Sequence, residues 1–158
     1  MIKVIFLDVD GVLNCHKTRA YVGCCVGIEI TKVKLLKQIV DATGAKIVLS
    51  SSWKSGWSDD PDECTPEMQY LKRKLRGCGL RIIDITRESN WFYRGWGIKQ
   101  WCDDHDVGNF VILDDETFEF DRRGLMDHLV QTSFYDEPGG LQPHHVETAI
   151  RILNGRSV

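Results

Sequence analysis

Two aspartates two positions apart, Asp8 and Asp10, stand directly after the largely apolar run Ile2 to Leu7 and directly before Gly11. A run of that length and character reads as a buried parallel strand. Unpaired carboxylates are costly inside such a strand. Asp8 and Asp10 therefore belong at its carboxyl end, where open α/β sheets bind ligands. Two acids beside a glycine that lets backbone approach closely suit a divalent cation and an anionic substrate. Taken alone, the stretch also fits a solvated, Asp-rich turn closing a strand.

Two more strand ends carry residues of the same kind. Ala45 to Leu49 reads as a second buried strand and runs into Ser50-Ser51-Ser52-Trp53; Phe110 to Leu113 reads as another and runs into Asp114-Asp115-Glu116. A serine run or an Asp pair after a strand is by itself commonly a cap or a turn. In a parallel sheet, however, these ends share one edge, and residues a hundred positions apart converge there. The recurrence of chemistry-bearing residues at equivalent positions is what points to a site.

The elements that must hold this edge together alternate along the chain. Thr31 is expected to cap a helix with Val33, Leu36, Ile39 and Val40 on one face, ended by Gly44. Thr65-Pro66-Glu67 opens another helix, with Pro66 suited to its first position. Leu80 to Ile85 reads as a third strand and Gly95 to Asp104 as a short helix carrying Trp96, Ile98 and Trp101. A weaker strand lies near Leu129–Gln131, and Pro143 to Leu153 closes the chain as an amphipathic helix. Strands separated by helical patterns imply a three-layer α/β/α, Rossmann-like parallel sheet, here as a single domain over residues 1–158.

Composition narrows the function classes. The 158 residues have the balance of an ordinary globular chain, and a net charge of −3 exerts no global pull on nucleic acid. No apolar run reaches membrane-spanning length, and the N-terminus lacks a signal-peptide layout. The six cysteines (Cys15, Cys24, Cys25, Cys64, Cys78 and Cys102) include no Cys-x-x-Cys pair. They read as free thiols in a reducing cytoplasm rather than as a zinc site or disulfide framework. His144-His145 reads as a pair opening the last helix, and Lys72-Arg73-Lys74 with Arg76 as a solvated helix face.

Together the motifs resemble the haloacid dehalogenase-like (HAD) superfamily, on its phosphatase side. Asp8-Val9-Asp10-Gly11-Val12-Leu13-Asn14 is similar to the first motif, a nucleophilic Asp followed two residues on by an acid/base Asp. Val48 to Trp53 is similar to the second, a Ser or Thr ending the second strand, and Val111 to Glu116 to the fourth, the acidic magnesium motif. The third motif is a Lys or Arg ahead of the helix preceding the last strand. Arg94, just before the helix, fits that position better, and Lys99 is the alternative. Arg94-Gly95-Trp96-Gly97-Ile98-Lys99-Gln100-Trp101 and the closing Gly140 to Asn154 further resemble the domain linked to RNA repair and polynucleotide-end phosphatases.

The resemblance implies a Mg2+-dependent phosphomonoester hydrolase that works through an aspartyl-phosphate. Asp8 would attack phosphorus, and Asp10 would protonate the leaving oxygen and then deprotonate water. The Asp8 side chain, the Asp10 carbonyl and Asp114, with Asp115 assisting, would hold the metal. Ser50, the amides of the turn through Gly11, and Arg94 or Lys99 would stabilise the transferring phosphoryl group.

The stretches from Asn14 to Thr31 and from Ile85 to Arg94 are too short for a cap domain, so the site is expected to be open to bulky phosphoesters. Trp53, Trp91 and Trp96, with Gly11 and Ser51, are candidate substrate contacts; the rings either stack bases or fill a small core. The expected partner is a phosphorylated substrate, with a nucleotide or nucleic-acid end as one class, and no membrane. The alternatives are a small-metabolite phosphatase and a non-catalytic phosphate-binding module. No Gly-x4-Gly-Lys-Ser/Thr loop occurs, which excludes a complete kinase–phosphatase repair enzyme.

Overall fold

The computed structural model describes residues 1–155; the expected domain runs on through 156–158, which lie outside the described residues. The chain opens with β1 (Ile2–Leu7), followed by a small antiparallel hairpin of β2 (Tyr21–Val22) and β3 (Cys25–Val26). Then come α1 (Ile30–Thr43), β4 (Lys46–Leu49), α2 (Pro66–Arg76) and β5 (Ile82–Ile85). α3 (Arg94–Asp104), β6 (Val107–Asp114), β7 (Leu129–Gln131) and α4 (Pro143–Leu153) complete it. The five long-range strands form one parallel sheet in the order β5-β4-β1-β6-β7.

Alternation along the central strands builds the three layers. Ile5 and Leu7 of β1, Ile47 and Leu49 of β4, and Val111 and Leu113 of β6 face one core, with Leu36, Leu71 and Ala149 of α1, α2 and α4. Val4, Phe6, Val48 and Ile112 face the other, against Ile98 and Trp101 of α3 and Phe120 and Leu125 of the connection after β6. Strands apolar on both faces are what a covered parallel sheet requires. The α/β/α expectation holds, and no cap domain occurs among the described residues.

Several boundaries differ from the sequence expectation. α1 begins two residues earlier than a Thr31 cap allows: Glu29 is its N-cap, with extended backbone, and its carboxylate accepts from Thr18 Oγ1 at 2.7 Å instead of capping. Thr31 lies inside the first turn. Gly44 does end the helix, at φ 70°. β6 runs from Val107 to Asp114, longer than Phe110 to Leu113, because pairing with β1 begins at Val107 and pairing with β7 extends the ladder to Asp114. β5 starts at Ile82 rather than Leu80. The β2–β3 hairpin was not foreseen, its two-residue strands being too short for any period to register.

At α2 the expectation holds in detail. Thr65 Oγ1 accepts from Met68 N at 3.3 Å, and Pro66 occupies the first turn. Thr65→Ala should lower the unfolding free energy by about 1 kcal/mol. Urea denaturation at unchanged m-value is the measurement, and an unshifted midpoint would remove the cap from the account.

Candidate active site

The acid-bearing edge is built by Asp114, the last residue of β6, and by the first residue beyond each of the other four strands of the sheet. Asp8 N donates to Leu113 O at 2.9 Å, Ser50 N to Leu7 O at 3.0 Å, Thr86 N to Leu49 O at 3.0 Å and Thr132 N to Asp114 O at 2.9 Å. Each of these residues is thus tied to the neighbouring strand's end, and Asp8, Ser50, Thr86 and Thr132 line up across the sheet. After Asp8 the chain turns sharply, with Val12 N and Leu13 N both donating to Val9 O. Gly11 sits in this turn at φ 83°, and a Cβ there would lie 2.5 Å from the Asp115 carboxyl carbon. Both its backbone angle and the close approach of Asp115 require glycine. Gly11 N donates to Asn14 Oδ1 at 2.9 Å and Gly11 O accepts from Thr132 Oγ1, so the turn is fastened at both ends.

Three carboxylates converge at this turn: one oxygen each of Asp8, Asp114 and Asp115 lie within 4.8 Å of one another. Arg94 is the cation set among them, its guanidinium 2.7 Å from Asp114 and 3.2 Å from Asp8. Burial raises the Asp8 carboxyl above the usual carboxylate range, while Arg94 and a hydrogen bond from Ser51 oppose it. Burial and then the Asp8 charge push Asp114 well up, and the same two causes bring Asp115 to about 7. One guanidinium does not balance three such acids. An oxygen-only donor set in this state fits a hard divalent cation, which would supply the missing positive charge.

Arg94 is placed by the start of α3. Glu119 accepts from Gly95 N at 2.6 Å and from Trp96 N at 3.3 Å, satisfying two free amides of the helix and locking its first turn. The Arg94 guanidinium also lies 4.3 Å from the centre of the Phe118 ring. Lys99, by contrast, is an exposed residue further along α3 whose charge acts on Cys102. Of the two expected cations, Arg94 is the one that meets the acids.

Asp10 is held apart from the trio by neutral donors. Asn14 Nδ2 donates to one of its oxygens at 2.9 Å and the Trp53 indole N–H to the other at 3.2 Å. Trp53 is therefore not an exposed stacking ring. It is 8% exposed and packs in the core, its ring tied to Asp10 and its amide capped by Ser51 Oγ. Ser50 is fully buried, and its hydroxyl has no hydrogen-bond partner among the described residues. Beside it opens a cavity of about 590 Å3, whose lining includes Ser50, Arg94 and Trp91. Trp91 is 69% exposed; Trp96 instead borders a separate hollow of about 310 Å3 with Tyr93 and Arg123.

Sequence reasoning missed Asn14, Glu119, Lys54 and Glu88. Lys54 Nζ reaches Thr86 Oγ1 at 2.8 Å and pairs with Glu88. Burial draws its ammonium below the usual lysine range, with Glu88 opposing. The available signals were slight: Asn14 closes the first motif, and Lys54 follows the serine run.

No curated protein matches the chain. A family model does, and it extends from residue 4 to residue 146, covering the acid-bearing strand ends, Ser50 and Arg94. Among the described residues no helix is long and apolar enough to cross a membrane. With a parallel α/β/α sheet, an uncapped edge and four HAD-like segments brought together there, the chain belongs to the family described as the HAD domain in Swiss Army Knife RNA repair proteins.

Proposed function

We propose that the chain is a Mg2+-dependent phosphomonoester hydrolase that acts by way of an aspartyl-phosphate on Asp8. The observation that carries this reading is the different setting of its two first-motif acids. Asp8 sits against Arg94, Asp114 and Asp115, whereas Asp10 is held by the Asn14 amide and the Trp53 indole. Two carboxylates in unlike environments suit two roles, one nucleophile and one proton carrier.

Asp8, Asp114 and Asp115, with the Asp10 carbonyl, would hold Mg2+, which when bound offsets negative charge at the acids and at the phosphoryl oxygens. An Asp8 oxygen attacks phosphorus as the bond to the leaving oxygen breaks, and Asp10 delivers a proton to that oxygen. Asp10 then takes a proton from water, whose oxygen attacks the phosphoryl group and releases phosphate and the Asp8 carboxylate. Arg94 and the Ser50 hydroxyl, which is buried and otherwise unpartnered, donate to the phosphoryl oxygens throughout.

A phosphorylated nucleic-acid end is the substrate class favoured by the family description, by an edge without a cap, and by the exposed Trp91 ring beside Ser50. The chain's acidic balance is compatible with that, because one terminal phosphate and its neighbour need only local contacts. The free cysteines suit a reducing, cytoplasmic setting.

Asp8→Asn should abolish turnover of an aryl phosphate while the protein still unfolds cooperatively, because an amide is not an anionic nucleophile. Near wild-type turnover in that variant would sink the assignment. Chelation with EDTA should silence the enzyme and added Mg2+ restore it; full activity after chelation would take the metal out of the reaction. Trp53→Phe keeps the ring and deletes the N–H to Asp10, so kcat should drop about tenfold at nearly constant KM. A rise in KM at constant kcat would instead make Trp53 a substrate contact.

A further inference from the structure

Lys54 is a cation at the cavity beside Ser50 that the chemistry above leaves without a task. It belongs to the helical turn Ser52–Gly56, which follows β4, and it lines the cavity together with Ser50, Thr86 and Arg94. Only 15% of its side chain is exposed. Taking an ammonium out of water is costly, and a buried ion pair is often replaceable by uncharged residues without loss of stability. A pair kept at such a place points to a use other than stability.

Its neighbours fix where the ammonium stands. Lys54 Nζ donates to Thr86 Oγ1 at 2.8 Å and to Glu88 Oε1. Thr86 N is bonded to Leu49 O and Ser50 N to Leu7 O, so Thr86, Ser50 and Asp8 follow one another along the sheet edge. The ammonium is therefore tied to the residue next to Ser50 in the row that leads to Asp8. Glu88 holds it from a fixed position. That carboxylate is 2% exposed and packs so closely on α3 that a Cβ on Gly97 would collide with it. An ammonium has three protons to donate, and the third of Lys54 has no acceptor among the described residues.

Charge agrees with this placement. Burial favours the neutral amine. Glu88 opposes it most strongly, Arg94 reinforces it, and the charge of Asp8 again favours the ammonium. Lys54 is thus within electrostatic reach of Asp8 itself. Two other cations line the cavity and both are engaged. The Arg94 guanidinium is shared between Asp8 and Asp114, and Arg87 is a largely exposed partner of Asp84 at 3.1 Å. A transferring phosphoryl group spreads its negative charge over three oxygens. A neutral serine hydroxyl and one guanidinium already facing two carboxylates leave that charge short of donors from the chain.

We propose that Lys54 is a further catalytic residue, its ammonium donating the remaining hydrogen bond to an oxygen of the transferring phosphoryl group, with Glu88 as the positioning residue that holds it. The proposal rests on the phosphatase reading of the site. Lys54 transfers no proton; it remains an ammonium and offsets charge that gathers on oxygen as the phosphoryl group moves.

Three variants separate this role from a structural one. Lys54→Met keeps much of the side chain and deletes the charge, and kcat/KM for an aryl phosphate should fall about a hundredfold. Alone, it leaves Glu88 buried without its partner. The double variant Lys54→Met/Glu88→Gln removes both charges, a change that buried pairs commonly tolerate, and it should stay as slow as Lys54→Met. Recovery in the double variant would overturn the proposal, because Lys54 would then serve only to neutralise Glu88. Glu88→Gln withdraws the charge that most favours the ammonium, so the alkaline limb of kcat/KM should move to lower pH; an unmoved limb would overturn the positioning role. NMR titration of inorganic phosphate with Mg2+ into the Asp8→Asn protein needs no turnover, and adding Lys54→Met should raise Kd about tenfold. Phosphate binding that depends on Lys54 in a protein without phosphatase activity would keep Lys54 at the phosphate and defeat the phosphatase reading. Turnover by Lys54→Met within about twofold of the wild type would overturn the role of Lys54 and leave the phosphatase reading standing.

Discussion

The structure depends on bringing like charges together at a buried sheet edge. β1 and β6 pair in parallel with Leu7 opposite Leu113, so the residues that follow, Asp8 and Asp114, emerge side by side. Neither can escape to solvent, since both are buried, and Asp115 joins them. The Arg94 guanidinium between Asp8 and Asp114 makes this tolerable. A buried cation in such a position is held less for net stability than because its loss would leave buried charge uncompensated, at a cost of about 3–5 kcal/mol. Much of the surrounding structure serves that placement: Glu119 anchors the start of α3, Gly11 clears space for Asp115, and Thr132 fastens the Gly11 carbonyl. The same imbalance of acid over base suits the edge to a cation, and in the proposed chemistry Ser50 and Arg94 add donors for a phosphoryl group.

A second constraint separates the two first-motif acids. Consecutive strand-like residues alternate in direction, yet Asp8 and Asp10 are two apart and would share a face if the strand continued. The turn at Val9 to Leu13 breaks that relation. It leaves Asp8 against the acids of β6 and sends the Asp10 side chain to Asn14 and to Trp53, which belongs to the turn after β4. Asn14 also ties Gly11 N and, through Nδ2, the Val26 carbonyl of β3. The small hairpin thereby supports the geometry of Asp10.

What could be read from sequence was what local pattern controls. The apolar strands, the acids at their ends, the Thr65 cap and the Gly44 stop all follow from neighbours a few residues apart, and each took its expected place. Arg94 was favoured over Lys99 by its position ahead of a helix, and it is the one at the acids. Failures came where tertiary contacts decide. Thr31 looked like a cap, but Glu29 lies where the chain leaves its extended segment, bonded to Thr18. Trp53 is an aromatic in a polar stretch, and nothing local reveals that its ring packs inward while its N–H seeks Asp10, 43 residues away. Trp91 and Trp96 were grouped by proximity in sequence, yet only Trp91 lines the cavity beside Ser50. The Lys54–Glu88 pair joins two loops across the sheet edge, a relation carried by no motif.

The claim on which the proposed chemistry turns is that Asp8 itself carries the phosphoryl group. With the nucleophile intact and the proton carrier removed, Asp10→Asn should accept phosphate from an activated aryl ester and lose it slowly. Borohydride reduction of the Mg2+-treated, substrate-pulsed variant, followed by peptide mass spectrometry, reads the site directly: an acyl-phosphate is reduced, an unmodified carboxylate is not. The account predicts reduction at Asp8 alone. Modification of another residue, or continued turnover with Asp8 never labelled, would contradict it.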